Sequence, residues 1–221
     1  MSHIRPICLI LTTLLTAACK PPPHETRTLK KWDLLSATEA THWKSAAMPD
    51  AGKAEVRDGE AFMEAGGPMT GLSYDNWQSG GLPLRDYTIT CEAMRVEGAD
   101  FFAAITFPVR RIDTCATLVV GGWGGGLVGI SSIDGEDASN NSTRSEQKFE
   151  NGKWYRLKLE VREDEIKAWI DDRLVINTSI KARVISLRPG YIENCAPFGL
   201  ATFQSTGRVR TLVAEELGYP R

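Results

Sequence analysis

Between Trp154 and Ile176 the chain alternates polar and apolar residues with a period of two. Trp154, Arg156, Lys158, Glu160 and Arg162 fall on one side, and Tyr155, Leu157, Leu159 and Val161 fall on the other. Such alternation predicts a half-buried antiparallel strand. A charged turn, Arg162 to Glu165, leads into Ile166–Ile170, and Asp171-Asp172 reverses the chain again into Leu174–Ile176. The unit is therefore a predicted three-strand meander.

The same reading applies elsewhere. Ala54–Glu64 reads as a hairpin about Asp58-Gly59, a pair suited to a tight turn. Further strand-like runs are Tyr87–Val96, Phe101–Val109, Cys115–Gly121, Leu127–Ile133, Arg144–Phe149, Arg183–Leu187, Phe198–Phe203 and Val209–Glu215. Turns rich in Gly, Asp and Asn recur about every 10 residues, as in an all-β sandwich or barrel. Helix is confined to one or two turns within Ala37–Ala47, started by Ser36 or Thr38. The expected architecture is a single all-β domain of two antiparallel sheets packed face to face.

The beginning of the chain has a different pattern. Arg5 precedes an uncharged, mostly apolar run from Ile7 to Ala18. A permanent membrane span needs about 20 such residues, whereas this run has the proportions of an export signal. The division that follows is a signal peptide over 1–18, a Pro-rich tether over 19–31, and the sandwich over 32–221. Pro21-Pro22-Pro23 favours an extended spacer. Leu15-Thr16-Ala17-Ala18-Cys19 resembles a bacterial lipoprotein signal. That resemblance implies a lipid on Cys19, attachment to a membrane through this lipid, and a place in the bacterial cell envelope. Cleavage by an ordinary signal peptidase, giving plain secretion, is the other reading.

Charge and composition narrow the partners. A formal net charge of -2 with scattered basic residues leaves no footprint for nucleic acid. The three histidines are His3, His24 and His42, of which only His42 lies in the domain, so a histidine triad or multi-histidine zinc site is excluded. Cys91, Cys115 and Cys195 remain after the signal and Cys19 are set aside, which allows at most one internal disulfide and fixes no pairing.

Candidate chemistry gathers in three places. Asp134, Asp137, Asn140 and Asn141 crowd one loop after an apolar strand. They can shape a turn, bond sugar hydroxyls, or collect on calcium or another divalent cation, which prefers six to eight oxygens. Trp123 lies within a run of glycines, Gly121 to Gly126, that lets backbone and ligand approach closely. Its indole can stack on a pyranose ring or cap the core. Trp77 with Tyr74 offers a second platform or ordinary packing. Glu92 alternates away from Ile89, Cys91 and Ala93, and with Asp100 it can form an acid–base pair if the two converge, or else it forms a salt bridge to Arg95 or another surface cation.

Four segments carry a family resemblance: Gly59 to Phe62, Asp86 to Glu92, Trp154-Tyr155 through Asp171-Asp172, and Phe198-Gly199-Leu200 with Gln204 and Val209-Arg210. Together they resemble the 3-keto-disaccharide hydrolase-like domains of bacteria, a branch of the concanavalin- and laminin-G-like jelly rolls. The resemblance implies a concanavalin A-like jelly roll and a carbohydrate partner. It also implies a hydrolase or lyase acting on 3-keto sugars, with Glu92, Asp100 and Asp134 as candidate acid, base or cation ligands. Catalytic members carry an Asn-Ser-Gly turn where this chain has Ala99-Asp100-Phe101-Phe102. Three readings result: a surface-tethered carbohydrate-binding sandwich, an enzyme on glycosides, or an envelope interaction module without a small ligand.

Overall fold

A computed structural model describes residues 26–218. The signal, the first part of the tether and the Cys19 lipid site lie outside the described residues. Alternation leaves each strand one apolar edge to bury, and the chain satisfies this by stacking two sheets. The strands are β1 (Arg27–Asp33), β2 (Trp43–Ser45), β3 (Ala54–Arg57), β4 (Glu60–Met63), β5 (Met69–Tyr74), β6 (Tyr87–Gly98), β7 (Ala103–Val109), β8 (Arg111–Gly121), β9 (Leu127–Ser131), β10 (Ser145–Glu146), β11 (Trp154–Val161), β12 (Glu165–Ile170), β13 (Arg173–Ser179), β14 (Phe198–Phe203) and β15 (Ser205–Gly218).

One sheet has eight strands in the order β13-β12-β11-β6-β15-β4-β3, with β1 also paired to β15. The other has seven, ordered β10-β9-β8-β7-β14-β5-β2. The two-sheet sandwich expected from the alternation, and the jelly roll implied by the resemblance, is the fold. In the meander Tyr155, Leu157, Leu159 and Val161 are all buried, while Arg156 and Lys158 are exposed. The core fills with side chains from both layers, including Ile89, Cys91, Ile105, Phe107, Leu118, Ile130 and Leu200. Trp77 and Tyr74 are fully buried, with Trp77 4.6 Å from the Phe198 ring centroid, so they pack the core.

Several boundaries differ from expectation. The segment expected as helix holds only a single 3-10 turn, Glu39–His42, before β2 begins. Trp43 takes it into the sheet, because its indole N–H donates to the Leu34 carbonyl at 2.7 Å inside the core. Arg183–Leu187 forms no strand. It is a coil tied to Ser132–Asp134 by backbone bonds and a single bridge at Ile185. Arg144–Phe149 shrinks to the two residues of β10. Part of the segment read as tether belongs to the fold, since β1 pairs with β15 from Arg27 to Asp33. β5 was not expected at all, because both of its faces are covered and no alternation shows. Cys91, Cys115 and Cys195 are all free and buried.

Candidate functional site

The outer face of the seven-stranded sheet carries a groove of about 500 Å³. Its floor comes from alternate residues that point away from the core: Ser131 on β9, Thr117 and Val119 on β8, Ala104 on β7, Phe203 on β14 and Met69 on β5. Two segments wall it in. The Asp134–Thr143 loop sits over β9 at Gly129, where an added Cβ would lie 3.0 Å from that of Ala138. The turn Tyr191–Cys195 sits over β14 at Gly199, where an added Cβ would lie 2.6 Å from the Cys195 carbonyl oxygen. Burial under this turn pushes the Cys195 thiol up to about 12.

Trp123 stands at the rim, 44% exposed. Its backbone is left-handed (φ 50°, ψ 53°), flanked by left-handed Gly121 and Gly124. Asp100 holds this loop in place. One carboxylate oxygen accepts the Gly124 N–H at 2.9 Å and the other accepts the Phe101 N–H at 2.8 Å. Its backbone is pinned to the Ser205 hydroxyl, with 3.0 Å bonds in both directions.

Asp137 forms the polar centre of the opposite wall. One oxygen accepts the Ser131 hydroxyl at 2.5 Å and the Ala138 N–H at 2.8 Å. The other faces the Arg188 guanidinium at 2.7 Å. The same guanidinium carbon lies 6.0 Å from the Trp123 ring centroid. Trp123, Asp100 and Asp137 therefore share one groove, as three of the sequence candidates. Phe101 joins them from the altered turn, and Arg188, Ser131, Tyr191 and Phe203, which the sequence reading does not single out, also line it. Strand alternation from Phe198 and Leu200 inward could have placed Phe203 outside, whereas nothing in the sequence marks Arg188.

The remaining candidates sit elsewhere. Asp134 accepts the Val184 N–H at 2.7 Å and pairs with Arg183, and these contacts hold its carboxyl below the usual range. The Asn141 amide donates to the Ile130 and Glu136 carbonyls at 2.8 and 3.0 Å, and its oxygen accepts the Thr143 N–H at 2.9 Å. Asn140 is exposed, and its N–H donates to the Asp137 carbonyl at 2.8 Å. These three residues build the loop. The donor set does not fit calcium: Asp134 and Asp137 each pair with an arginine, and among the described residues no three His, Cys, Asp or Glu side chains gather.

Glu92 and Asp100 do not meet. Alternation along β6 places Glu92 on the outer face of the eight-stranded sheet, bonded to Arg210 at 2.7 Å, while Asp100 follows the crossing into the other layer. Arg95 is not its partner. That guanidinium is buried and donates to the Phe149 carbonyl and the Asn151 side chain at 2.7 and 2.6 Å. Of the two phenylalanines in the altered turn, Phe102 is fully buried in the core, 5.2 Å from the Phe149 ring. Phe101 lies in the groove, its ring 5.6 Å from that of Phe203. The groove is thus apolar over much of its floor.

No protein-family model matches the sequence, and no curated protein matches it. Solved structures do resemble it. Domain 4 of AbnA, a GH43 extracellular arabinanase from Geobacillus stearothermophilus in complex with arabinotriose, is 13% identical with a TM-score of 0.52, over 89% of this chain and 95% of that one. The apo Crh5 transglycosylase is 12% identical with a TM-score of 0.53, over 86% and 83% of the two chains. SCLam, a non-specific endo-β-1,3(4)-glucanase of family GH16, is 9% identical with a TM-score of 0.50, over 91% and 95%. These likenesses establish the shared two-sheet fold.

Proposed function

We propose that this domain binds carbohydrate in the groove on its seven-stranded sheet, with Trp123 as the stacking surface. The observation that carries the reading is the placement of this half-exposed indole beside the Asp137–Arg188 pair. A flat aromatic face next to paired donors and acceptors complements the apolar face and hydroxyl edge of a sugar ring. The arabinotriose bound by the arabinanase domain supports a glycan as the partner. Binding is favoured over cleavage. Glycoside hydrolysis needs a proton donor and a second carboxylate flanking one bond. Here Asp100 and Asp137 are both engaged by backbone amides, and Glu92 is on the other layer.

Descent from the 3-keto-disaccharide hydrolase-like domains is part of this proposal and rests on the four sequence segments. Export and lipid attachment at Cys19 complete it, tethering the domain in the cell envelope, and rest on the signal-like residues before that cysteine. Titration against a panel of soluble oligosaccharides tests the binding reading. Trp123→Ala should weaken the bound glycan by about tenfold or more, given the apolar area an indole supplies. Unchanged affinity in that variant would remove Trp123 from the site, and no binding across the panel would remove the function.

A further inference from the structure

The groove is uneven along its length. Neighbouring strands in a sheet lie about 4.8 Å apart, so the four steps from β9 to β5 span roughly 19 Å. At the β9 side the polar element is the Asp137–Arg188 pair, with the buried Ser131 hydroxyl donating to Asp137 beneath it. Across β7, β14 and β5 it turns to hydrocarbon. The Phe101 and Phe203 rings lie 5.6 Å apart at a tilt of 34°, with Met69 and Ile192 packed in the same cluster and Pro68 at the edge. A wholly polar oligosaccharide would leave that second half covered by hydroxyls that lose water there without finding partners.

Resting on the carbohydrate reading above, we propose that the ligand is an amphiphilic glycoside. Its sugar meets Trp123, Asp137 and Arg188, and its linear alkyl or acyl chain lies along Phe101, Phe203 and Met69. The polarity gradient along one continuous groove is the complement of a single molecule with one polar and one apolar end. A groove of about 500 Å³ matches a ligand of that size.

Methyl, butyl and octyl β-glucosides, each below its micelle-forming concentration, test the assignment by calorimetric titration of the purified domain. Burying a methylene is expected to tighten binding by up to about fourfold. Affinity should therefore rise steeply from methyl to octyl, and octan-1-ol should compete poorly. Phe203→Ser should flatten the chain-length dependence, lowering affinity for octyl glucoside far more than for methyl glucoside, and Tyr191→Ser, at a half-exposed position on the wall, should reduce the same dependence. Affinity independent of chain length overturns the amphiphile and leaves a simple sugar site. Octan-1-ol competing as well as octyl glucoside overturns both, because the sugar end is then unread. A dimer at micromolar concentration that Phe203→Ser dissolves assigns the apolar half to a second copy of the chain, and also overturns the proposal.

Discussion

Both oxygens of Asp100 are taken by backbone amides, those of Phe101 and Gly124, so this carboxylate shapes the site by fixing the loop that carries Trp123. The loop needs such a clamp. Trp123 has a positive φ, which costs a residue with a Cβ about 1 kcal/mol or more, and the glycines around it add freedom that must be removed. Asp100→Ala should lower stability by about 1–2 kcal/mol, the usual loss for two hydrogen bonds near the surface. It should weaken glycan binding by several-fold through disorder of the indole. Faster hydrogen exchange at the Gly124 amide would show the mechanism, and Asp100→Asn, which keeps one acceptor oxygen, should recover part of both losses. An unchanged exchange rate at Gly124 would break the link between the carboxylate and the loop.

Among the elements, legibility followed solvent exposure. The meander β11–β12–β13 was readable because one face of the eight-stranded sheet is wet, so arginines and lysines alternate with Leu and Ile. β5 was not, because Tyr191–Cys195 covers its second face and removes the polar half of the signal. The site was legible to the same degree. Trp123 and Asp137 stand out as unusual residues in loops, Asp100 stands at the place of the resembled family's Asn-Ser-Gly turn, and all three line the groove. Arg188 comes from a coil whose neighbours, Arg183–Leu187, looked like a strand, and its role exists only once Asp137 is folded against it. The covering turn also makes a prediction. Gly199→Ala would drive a Cβ to within 2.6 Å of both the Leu72 carbonyl oxygen on β5 and the Cys195 carbonyl oxygen in the turn, contacts that only backbone movement can relieve. The expected result is a loss of about 1–3 kcal/mol, or roughly 2–4 °C in Tm for each kcal/mol at this size, with a displaced groove wall and weaker ligand binding. A variant as stable as the parent would mean that both β5 and the turn yield freely and that the turn does not define the wall.

Taken as a whole, the molecule presents two different outer faces around one apolar layer, and its thiols sample the two layers. Cys91 lies inside the eight-stranded sheet and Cys195 beneath the turn on the seven-stranded one, both buried, with Cys115 on β8. Burial, reinforced at Cys91 by the adjacent Glu92 charge, pushes Cys91 and Cys195 from 9.0 to about 12. Because these pKa values are raised in the folded state, the associated stability is complete below about pH 9. As pH rises beyond that, the unfolded chain releases thiol protons that the folded chain retains, so stability falls until the folded values near 12 are reached. Each thiol contributes a slope of up to about 1.4 kcal/mol per pH unit in this window. Urea unfolding at pH 8, 9.5 and 11 should therefore show a steeper alkaline loss in the parent than in a Cys91→Ala, Cys195→Ala double variant. The difference should approach about 3 kcal/mol per pH unit. Tyr74 and Tyr87, also raised by burial, titrate in both proteins and cancel from the comparison. A difference of only about 1.4 kcal/mol per pH unit would show that one layer opens and admits base to its thiol while the rest of the sandwich stays folded, and equal slopes would show that both layers do.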